Sequence, residues 1–523
     1  MKKMKIYYTS DVHGYLYPTD YLSNEAQGMG LMQVITDFDK DENTLVIDGG
    51  DIFQGSPFIN YFQNQKRSDN GIAKVMNAGG YDVITLGNHD FNYGFDFLKE
   101  NLSNLDAQVT AVNVLDKSGA QLFPAQIKTL GNGLKIGLIG AVTDYVNIWE
   151  NPENIADIQI TPVFPAMKAE LERLKPQVDF VVGIYHGGFE SDLATGERLS
   201  DTGENVGYQL LEELDFDLLL TGHQHATIEG QSVHGTYTLQ PPNMARKYFE
   251  IAVNFDDNLQ PSITSELKTP GINQSPDLKA ALDDLQTEVN RYLDRPIVHL
   301  DTEVAAQSHL DLAQTSNAIL ALTAHVQRLA TGADISIVSM NNNTLYLPQD
   351  VKVRDILRNY PYDNTLFLMK VTGQQLKQNL EKTAEYFALD AGEIVINPKW
   401  LVPKTEHYNY DFYYGLGYTL DVSQLVGSRV RELTYQGQPV QDTDVLSVAL
   451  NNYRAVGGGE YNAYKAAEVV QDTGLTIQDL MIAYLEKTGQ LQVDEQLKFK
   501  VIDLKKFSAN SAFFCESNLL FCF

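Results

Sequence analysis

Asp11, His13, Asp51, Asn88, His89, His186, His223 and His225 are the residues of this chain best suited to work with divalent cations. They fall in five short segments: Asp11-Val12-His13, Gly50-Asp51, Gly87-Asn88-His89-Asp90, His186-Gly187-Gly188 and Gly222-His223-Gln224-His225. Five of the ten histidines lie there. Cations that activate water take oxygen and imidazole donors, and two ions about 3.5–4 Å apart clamp the attacking and leaving oxygens of one displacement. Asp51, at a Gly-Asp turn, suits the carboxylate that bridges such a pair. Side-chain direction repeats every two residues in an extended chain, so Asp11 with His13, and His223 with His225, are expected on a common side. Singly, each segment reads as an ordinary turn or surface histidine. Five in order, each closing an apolar run, point to metal-assisted hydrolysis.

The runs that lead into these segments are short and β-prone. Residues 6–10, 45–48, 83–86, 109–114, 136–141, 180–185 and 218–221 read as buried strands, and 71–78, 95–101, 165–174 and 204–213 as helices between them. This alternation over 5–262 predicts α/β layers with functional groups at the carboxyl ends of strands. Residues 263–300 change character. Thr269-Pro270-Gly271 breaks the chain, and a charged amphipathic helix from Pro276 to Leu293 ends near Pro296, which reads as a linker. A second α/β unit is expected over 301–506, with helices at 314–330, 353–358 and 374–386 and strands at 335–339, 366–371, 418–421, 430–435 and 445–450. The Phe-rich tail at 507–523 is unlike the rest.

With 523 residues the chain is long enough for two separate cores. A formal net charge of -29 argues against coating a nucleic-acid polymer, which needs basic surface. A small anionic substrate stays open, because bound cations reverse the local field. The two cysteines, Cys515 and Cys522, exclude a disulfide framework and a thiolate metal site in the body of the chain. Met1-Lys2-Lys3-Met4-Lys5 leads straight into Ile6-Tyr7-Tyr8 with no apolar leader. No run reaches the roughly 18 apolar residues of a membrane span. A cytoplasmic protein is expected.

The ordered motifs resemble those of calcineurin-like metallophosphoesterases, and their pairing with the C-terminal half resembles the 5'-nucleotidase family, over roughly residues 5–505. The resemblance implies an α/β protein with a four-layer α/β/β/α domain at 1–262, a linker helix at 263–300 and a nucleotide-binding α/β domain at 301–506. It implies one metal ion on Asp11, His13, Asp51 and His225 and a second on Asp51, Asn88, His186 and His223, the ions being Mn, Zn, Fe or Co. It places His89 beside the phosphate, protonating the leaving oxygen or stabilising charge, with Asn88 adding to that stabilisation.

The 5'-nucleotidase branch usually carries an Asp three residues after the catalytic His, orienting its ring. Here that residue is Asn92, in Asn88-His89-Asp90-Phe91-Asn92-Tyr93-Gly94. This version resembles the 2',3'-cyclic-nucleotide 2'-phosphodiesterases with 3'-nucleotidase activity. His186-Gly187-Gly188-Phe189-Glu190, Gly203-Glu204-Asn205, Tyr360-Pro361-Tyr362-Asp363-Asn364 and Tyr408-Asn409-Tyr410-Asp411-Phe412 lean the same way. Where the 5'-nucleotidase branch has an Asn-Gly-Gly-x-Arg segment, this chain has Asn341-Asn342-Asn343-Thr344. Asn451-Asn452-Tyr453-Arg454-Ala455-Val456-Gly457-Gly458-Gly459 resembles the family loop whose aromatic stacks on the base. That makes Tyr453 one face of a clamp, with Tyr408 or Tyr410 as the other. The implied activity is hydrolysis of small-molecule nucleotide phosphoesters, chiefly 2',3'-cyclic and 3'-nucleotides. The alternatives are a broad 5'-nucleotidase or UDP-sugar hydrolase and, in another class, a nucleotide-binding protein without catalysis.

Overall fold

Alternation decides the first strand. In Lys2–Thr9, Met4, Ile6 and Tyr8 join a buried interior, while Tyr7 turns to the other face, where its ring stacks on Phe38 at 4.5 Å. The computed structural model in which this is seen describes residues 2–21, 26–200, 203–362, 364–402, 404–495 and 497–504. By compactness the chain divides into two units, 1–291 and 292–523.

The first unit holds two six-stranded sheets. One runs in the order Pro261–Lys268, Tyr248–Phe255, Lys2–Thr9, Thr44–Asp48, Val83–Ile84, Gln108–Val109, and its last four strands are parallel. The other runs Ile228–Val233, Thr236–Gln240, Leu218–Thr221, Phe180–His186, Lys135–Val142, Gln126–Thr129, with its middle four parallel. Their inner faces meet. Ile6, Leu45, Ile47 and Phe249 of the first sheet pack in one buried cluster with Ile136, Leu138, Val182, Ile184 and Leu220 of the second.

The second sheet's opposite face, including Ile139, Val181 and Leu219, is covered by Val163, Met167 and Leu171 of the helix Val163–Leu174 and by Leu210 and Leu211 of Gly207–Glu213. Parallel neighbours need crossover connections, and each sheet has one face closed by the other, so the crossover helices take the outer faces. The layers are helix, sheet, sheet, helix. Parallel strands also finish on one edge, which is where the candidate ligand segments begin.

The unit extends beyond residue 262. Tyr248–Phe255 pairs with both Lys2–Thr9 and Pro261–Lys268, so the strand at the expected boundary completes the first sheet. The charged helix Pro276–Leu293 also belongs largely to this unit. Tyr17 donates to the Leu282 carbonyl at 2.8 Å, and Arg67 pairs with Glu288 at 2.7 Å. Charged residues on an amphipathic helix read as linker when their partners lie some 220 residues away in sequence, as the 221-residue separation of Arg67 and Glu288 does.

The second unit is built on a five-stranded sheet in the order Asp411–Tyr414, Ile335–Ser339, Val445–Asn451, Thr365–Thr372, Glu468–Thr476. A four-stranded sheet of Gln438–Pro439, Val430–Tyr435, Leu416–Asp421 and Lys498–Ile502 joins it. The single helix expected at 314–330 is two, His309–Thr315 and Ala318–Thr331. Asn317 divides them, its side chain accepting from Ile319 N and Leu320 N as an N-cap. The tail at 507–523, with Cys515 and Cys522, lies outside the described residues. Among the described residues no helix is long and apolar enough to cross a membrane.

Candidate metal centre

Each candidate ligand sits at or just past the carboxyl end of a parallel strand. Asp11 and His13 follow Lys2–Thr9, Asp51 follows Thr44–Asp48, Asn88 follows Val83–Ile84, His186 ends Phe180–His186, and His223 and His225 follow Leu218–Thr221. The alternation expected of Asp11–His13 and His223–His225 is not what unites them. Asp11 (φ 55°), His13 (51°), Asp51 (58°), His223 (70°) and His225 (55°) all adopt left-handed backbone past their strands. Such a conformation costs roughly 1–2 kcal/mol per residue with a Cβ, and it persists only where surrounding contacts over-determine it.

Those contacts are visible. The buried Asp90 carboxylate accepts from Asp51 N (3.0 Å), Ile52 N (2.8 Å), Phe53 N (2.9 Å) and Gly87 N (2.8 Å), locking the Asp51 turn to the Asn88 turn. Gly87 is required there, because a Cβ would run into the Asp51 carboxylate. Asp11 is held from across the unit, its two oxygens accepting from His223 N at 3.0 and 3.1 Å.

The side chains converge. His186 Nε2 lies 3.2 Å from Asp51 Oδ2, and His225 Nε2 lies 3.5 Å from Asp11 Oδ1. His13 Nε2 is 3.0 Å from His225 Nε2 and 3.9 Å from Asp51 Oδ2. Among the described residues two groups have donor atoms within 4.8 Å of one another, Asp11 with His13 and His225, and Asp11 with Asp51 and His186. Asn88 and His223 adjoin them. Asn88 Oδ1 is 2.8 Å from His223 Nδ1, and the His186 and His223 rings are 5.6 Å apart.

Hydrogen bonds behind these rings decide which nitrogen is presented. His13 Nδ1 donates to the Gln54 carbonyl (2.9 Å) and His186 Nδ1 to the Gly49 carbonyl (2.6 Å), so each turns Nε2 toward the carboxylates. His223 Nε2 donates instead to Glu204 Oε1 at 2.8 Å, which leaves Nδ1 facing Asn88. Tying the far nitrogen to a carbonyl or carboxylate is how ligating histidines are oriented. His186 is fully buried, and its Nε2 has no hydrogen-bond partner. A buried nitrogen close to one carboxylate and facing a second fits a cation site, and the oxygen and imidazole donors fit a divalent ion.

Charge agrees with geometry. Burial opposes ionisation of Asp11, but its hydrogen bond to His225 and the fields of His186 and His225 outweigh burial and hold the carboxyl well below its ordinary pKa. Asp51 is likewise held far down, with His186 and His89 overcoming burial. Burial lowers His13 to about 4, against the pull of Asp51. For His186, Asp51 and Asp11 overcome burial and push the ring up to about 10. The two carboxylates thus draw positive charge to one point.

His89 stands beside this cluster, its ring 5.5 Å from that of His13 and its backbone N donating to Asp51 Oδ1 at 2.7 Å. Asn92 Oδ1 lies 2.8 Å from His89 Nδ1. Sequence reasoning did not give roles to Glu204, Asp90, Trp149 (stacked on His223 at 5.5 Å) or Glu150 (bonded to Asn92). Of these only Glu204 and Asp90 fell inside quoted motifs. The other two reach the site from a helix with no local signature.

In the second unit, Tyr410 is fully buried. Its hydroxyl donates to the Ala313 carbonyl at 2.8 Å, and its ring packs on Tyr386, Phe387 and Phe412. It has no free face for a base, so that expectation falls to Tyr408 alone. Tyr408 and Tyr453 are half-buried. Arg454 joins their loops, reaching the Tyr408 carbonyl at 3.4 Å while pairing with Asp411 at 2.8 Å.

A two-sheet sandwich gathering Asp and His side chains at its strand ends is the architecture of a calcineurin-like phosphoesterase, and that family's profile matches residues 4–227. The profile of the 5'-nucleotidase C-terminal domain matches residues 296–466. A Staphylococcus aureus crystal structure, of a protein assigned as a 5'-nucleotidase and bound to alpha-ketoglutarate, is 31% identical with a TM-score of 0.89, covering 96% of this chain and 100% of that one. The chain therefore belongs to the 5'-nucleotidase family of calcineurin-like phosphoesterases. It is 24% identical to a 2',3'-cyclic-nucleotide 2'-phosphodiesterase/3'-nucleotidase of Haemophilus influenzae, over 96% of this chain and 88% of the relative. It is also 24% identical to the trifunctional nucleotide phosphoesterase protein YfkN of Bacillus subtilis, over 94% of this chain. The chain spans only 38% of that relative's length.

Proposed function

We propose that this protein hydrolyses nucleotide phosphoesters, with 2',3'-cyclic nucleotides and 3'-nucleotides as its main substrates. The observation that carries hydrolysis is the convergence of Asp11, Asp51, His13, His186 and His225 on one small volume, with His186 Nε2 buried 3.2 Å from the Asp51 carboxylate. Asp11, His13, Asp51 and His225 would hold one divalent ion and Asp51, Asn88, His186 and His223 another, and such ions would supply positive charge for the phosphoryl oxygens and a water of lowered pKa. Mn, Zn, Fe and Co all suit these donors.

The chain's own groups then position and protonate. Asn92 Oδ1 accepts from His89 Nδ1, so Nε2 is the atom that carries a proton to the leaving oxygen. Asp51 Oδ1 anchors the His89 backbone, fixing the ring relative to the Asp51 carboxylate. In the second unit Tyr453 and Tyr408 offer faces for the base, each stack contributing about 1–3 kcal/mol. Asn92 beside His89, and Asn341-Asn342-Asn343-Thr344 without an arginine, favour the cyclic and 3' substrates. The similar Staphylococcus aureus protein, assigned as a 5'-nucleotidase, favours 5'-nucleotides as the second reading.

Conversion of 2',3'-cyclic AMP to 3'-AMP and adenosine, and phosphate release from 3'-AMP and 5'-AMP, measured side by side with Mn²⁺, test both readings. The first expects turnover of 3'-AMP and the cyclic nucleotide to exceed that of 5'-AMP. The reverse order transfers the assignment to 5'-nucleotidase, and no turnover of any of the three removes nucleotide hydrolysis.

A further inference from the structure

His89 has a neutral neighbour at its far nitrogen, but the chain of hydrogen bonds continues beyond it. Asn92 Nδ2 donates to Glu150 Oε2 at 2.7 Å. Glu150 is 9% exposed, and its other oxygen accepts from Asn154 Nδ2 and Asn151 N, both at 2.8 Å. Asn154 Nδ2 also donates to the Asn92 carbonyl at 2.8 Å, which braces the Asn92 loop against the Glu150 segment.

We propose that Glu150 is the positioning residue for His89, acting through Asn92 as the displaced carboxylate of a His89–Asn92–Glu150 relay. The proposal rests on the reading of His89 as the group beside the leaving oxygen. A carboxylate only accepts, so the Asn92 amide must turn its NH₂ to Glu150 and its oxygen to His89. That orientation makes His89 Nδ1 the donor and reserves Nε2 for the substrate side. The anion behind the amide polarises it, so Asn92 Oδ1 holds the His89 Nδ1 hydrogen bond more firmly than an isolated amide would. It also gives a physical reason for Asn at position 92, because an aspartate there would put two carboxylates at hydrogen-bond distance.

The arrangement comes from a single short segment. The helix Val146–Trp149 ends at Glu150, and Trp149 stacks on His223 while Glu150 reaches Asn92. Nothing near Glu150 in sequence marks it, since Asn92 lies 58 residues earlier.

The test is a charge swap in the Mn²⁺-loaded full chain, with metal content measured for every variant. Glu150→Gln should lower kcat on the best nucleotide by roughly 10–100-fold, the range seen when outer partners of a catalytic group are lost, with KM and metal content little changed. Asn92→Asp should also lower kcat, because its carboxylate meets that of Glu150. The double variant Asn92→Asp/Glu150→Gln should recover to within about threefold of the parent, because a glutamine amide can donate to the new aspartate and the coupling between contacting residues is restored. If the double variant is no better than the weaker single variant, Glu150 only braces its loop and the proposal is overturned.

Leaving-group dependence separates this from the His89 reading. His89→Asn and Glu150→Gln should both cost less on p-nitrophenyl phosphate, whose leaving group needs no proton, than on the nucleotide. Equal losses for His89→Asn on both substrates overturn its role as the acid, and the charge swap still decides whether Glu150 governs His89. A selective His89→Asn beside an unselective Glu150→Gln overturns Glu150 alone.

Discussion

The proposed ligand cluster of the first unit and the tyrosine loops of the second place backbone strain in opposite ways. In the first, left-handed conformations fall on the proposed ligand residues themselves, at Asp11, His13, Asp51, His223 and His225. In the second, they fall on Gly457 (φ 85°), Gly459 (68°) and Glu460 (67°), beside Tyr453 but not at it. Coordination needs several donor vectors fixed at once, so strained backbone is tolerated where buried hydrogen bonds hold it. Stacking needs only an exposed ring face, and glycines shape the loop at little cost. The first site should therefore fail sharply when one group changes, and the second gradually.

Asp51→Asn is the strongest way to break that contrast. It removes a charge that faces His186 and His13 and that is proposed to be shared by both ions. Phosphate release should fall by at least about 10³-fold, since metal assistance supplies several kcal/mol. Elemental analysis of the same protein should find less bound metal. Wild-type metal content with unchanged turnover would refute the cluster. His89→Asn comes next, with kcat lowered about 10²–10³-fold, within the range for general acid catalysis. Its metal content should stay near that of the parent, because the hydrogen bond that ties His89 to Asp51 comes from its backbone N, which the substitution keeps.

Arg454→Met probes the second unit's scaffold rather than its binding face. Arg454 is 1% exposed, pairs with Asp411 and lies 4.0 Å from the Tyr461 ring. Removing one partner of a buried pair leaves the other charge uncompensated, a loss of about 3–5 kcal/mol. Chemical denaturation should register that loss in the second unit, whereas a change under about 1 kcal/mol would mean the pair is not what fixes these loops.

The contrast also explains what could be read from the chain. The first unit's candidate ligands were legible because each is announced locally, by an apolar strand and then a short Gly/Asp/His segment, and parallel strands bring such ends to one edge. Their convergence was legible; its cause was not, since left-handed backbone at Asp11 and His13 replaces the extended alternation that sequence suggests. Glu150 and Trp149 left no trace because their partners are fixed only by tertiary packing. The strand Pro261–Lys268 was lost to the linker because its alternation, half-exposed along its length, is that of an edge strand. In the second unit Tyr408 and Tyr410 are indistinguishable as letters two apart. Burial separates them, and burial depends on Ala313, Tyr386 and Phe387, which lie far along the chain.

Tyr408, Tyr410 and Tyr453 give the smallest effect and the sharpest test of the contrast. Tyr453→Ala and Tyr408→Ala each remove one proposed stacking face, so KM for a nucleotide should rise by about 5- to 150-fold, the equivalent of 1–3 kcal/mol, with kcat nearly unchanged. Hydrolysis of p-nitrophenyl phosphate, which lacks a base, should be insensitive to both. Tyr410→Phe keeps the buried ring and deletes only the hydroxyl that donates to Ala313. It should lower stability by about 1–3 kcal/mol, the cost of leaving a buried carbonyl unpaired, and leave KM alone. If Tyr408→Ala left KM unchanged while Tyr453→Ala raised it, Tyr408 would not be the second face of the clamp.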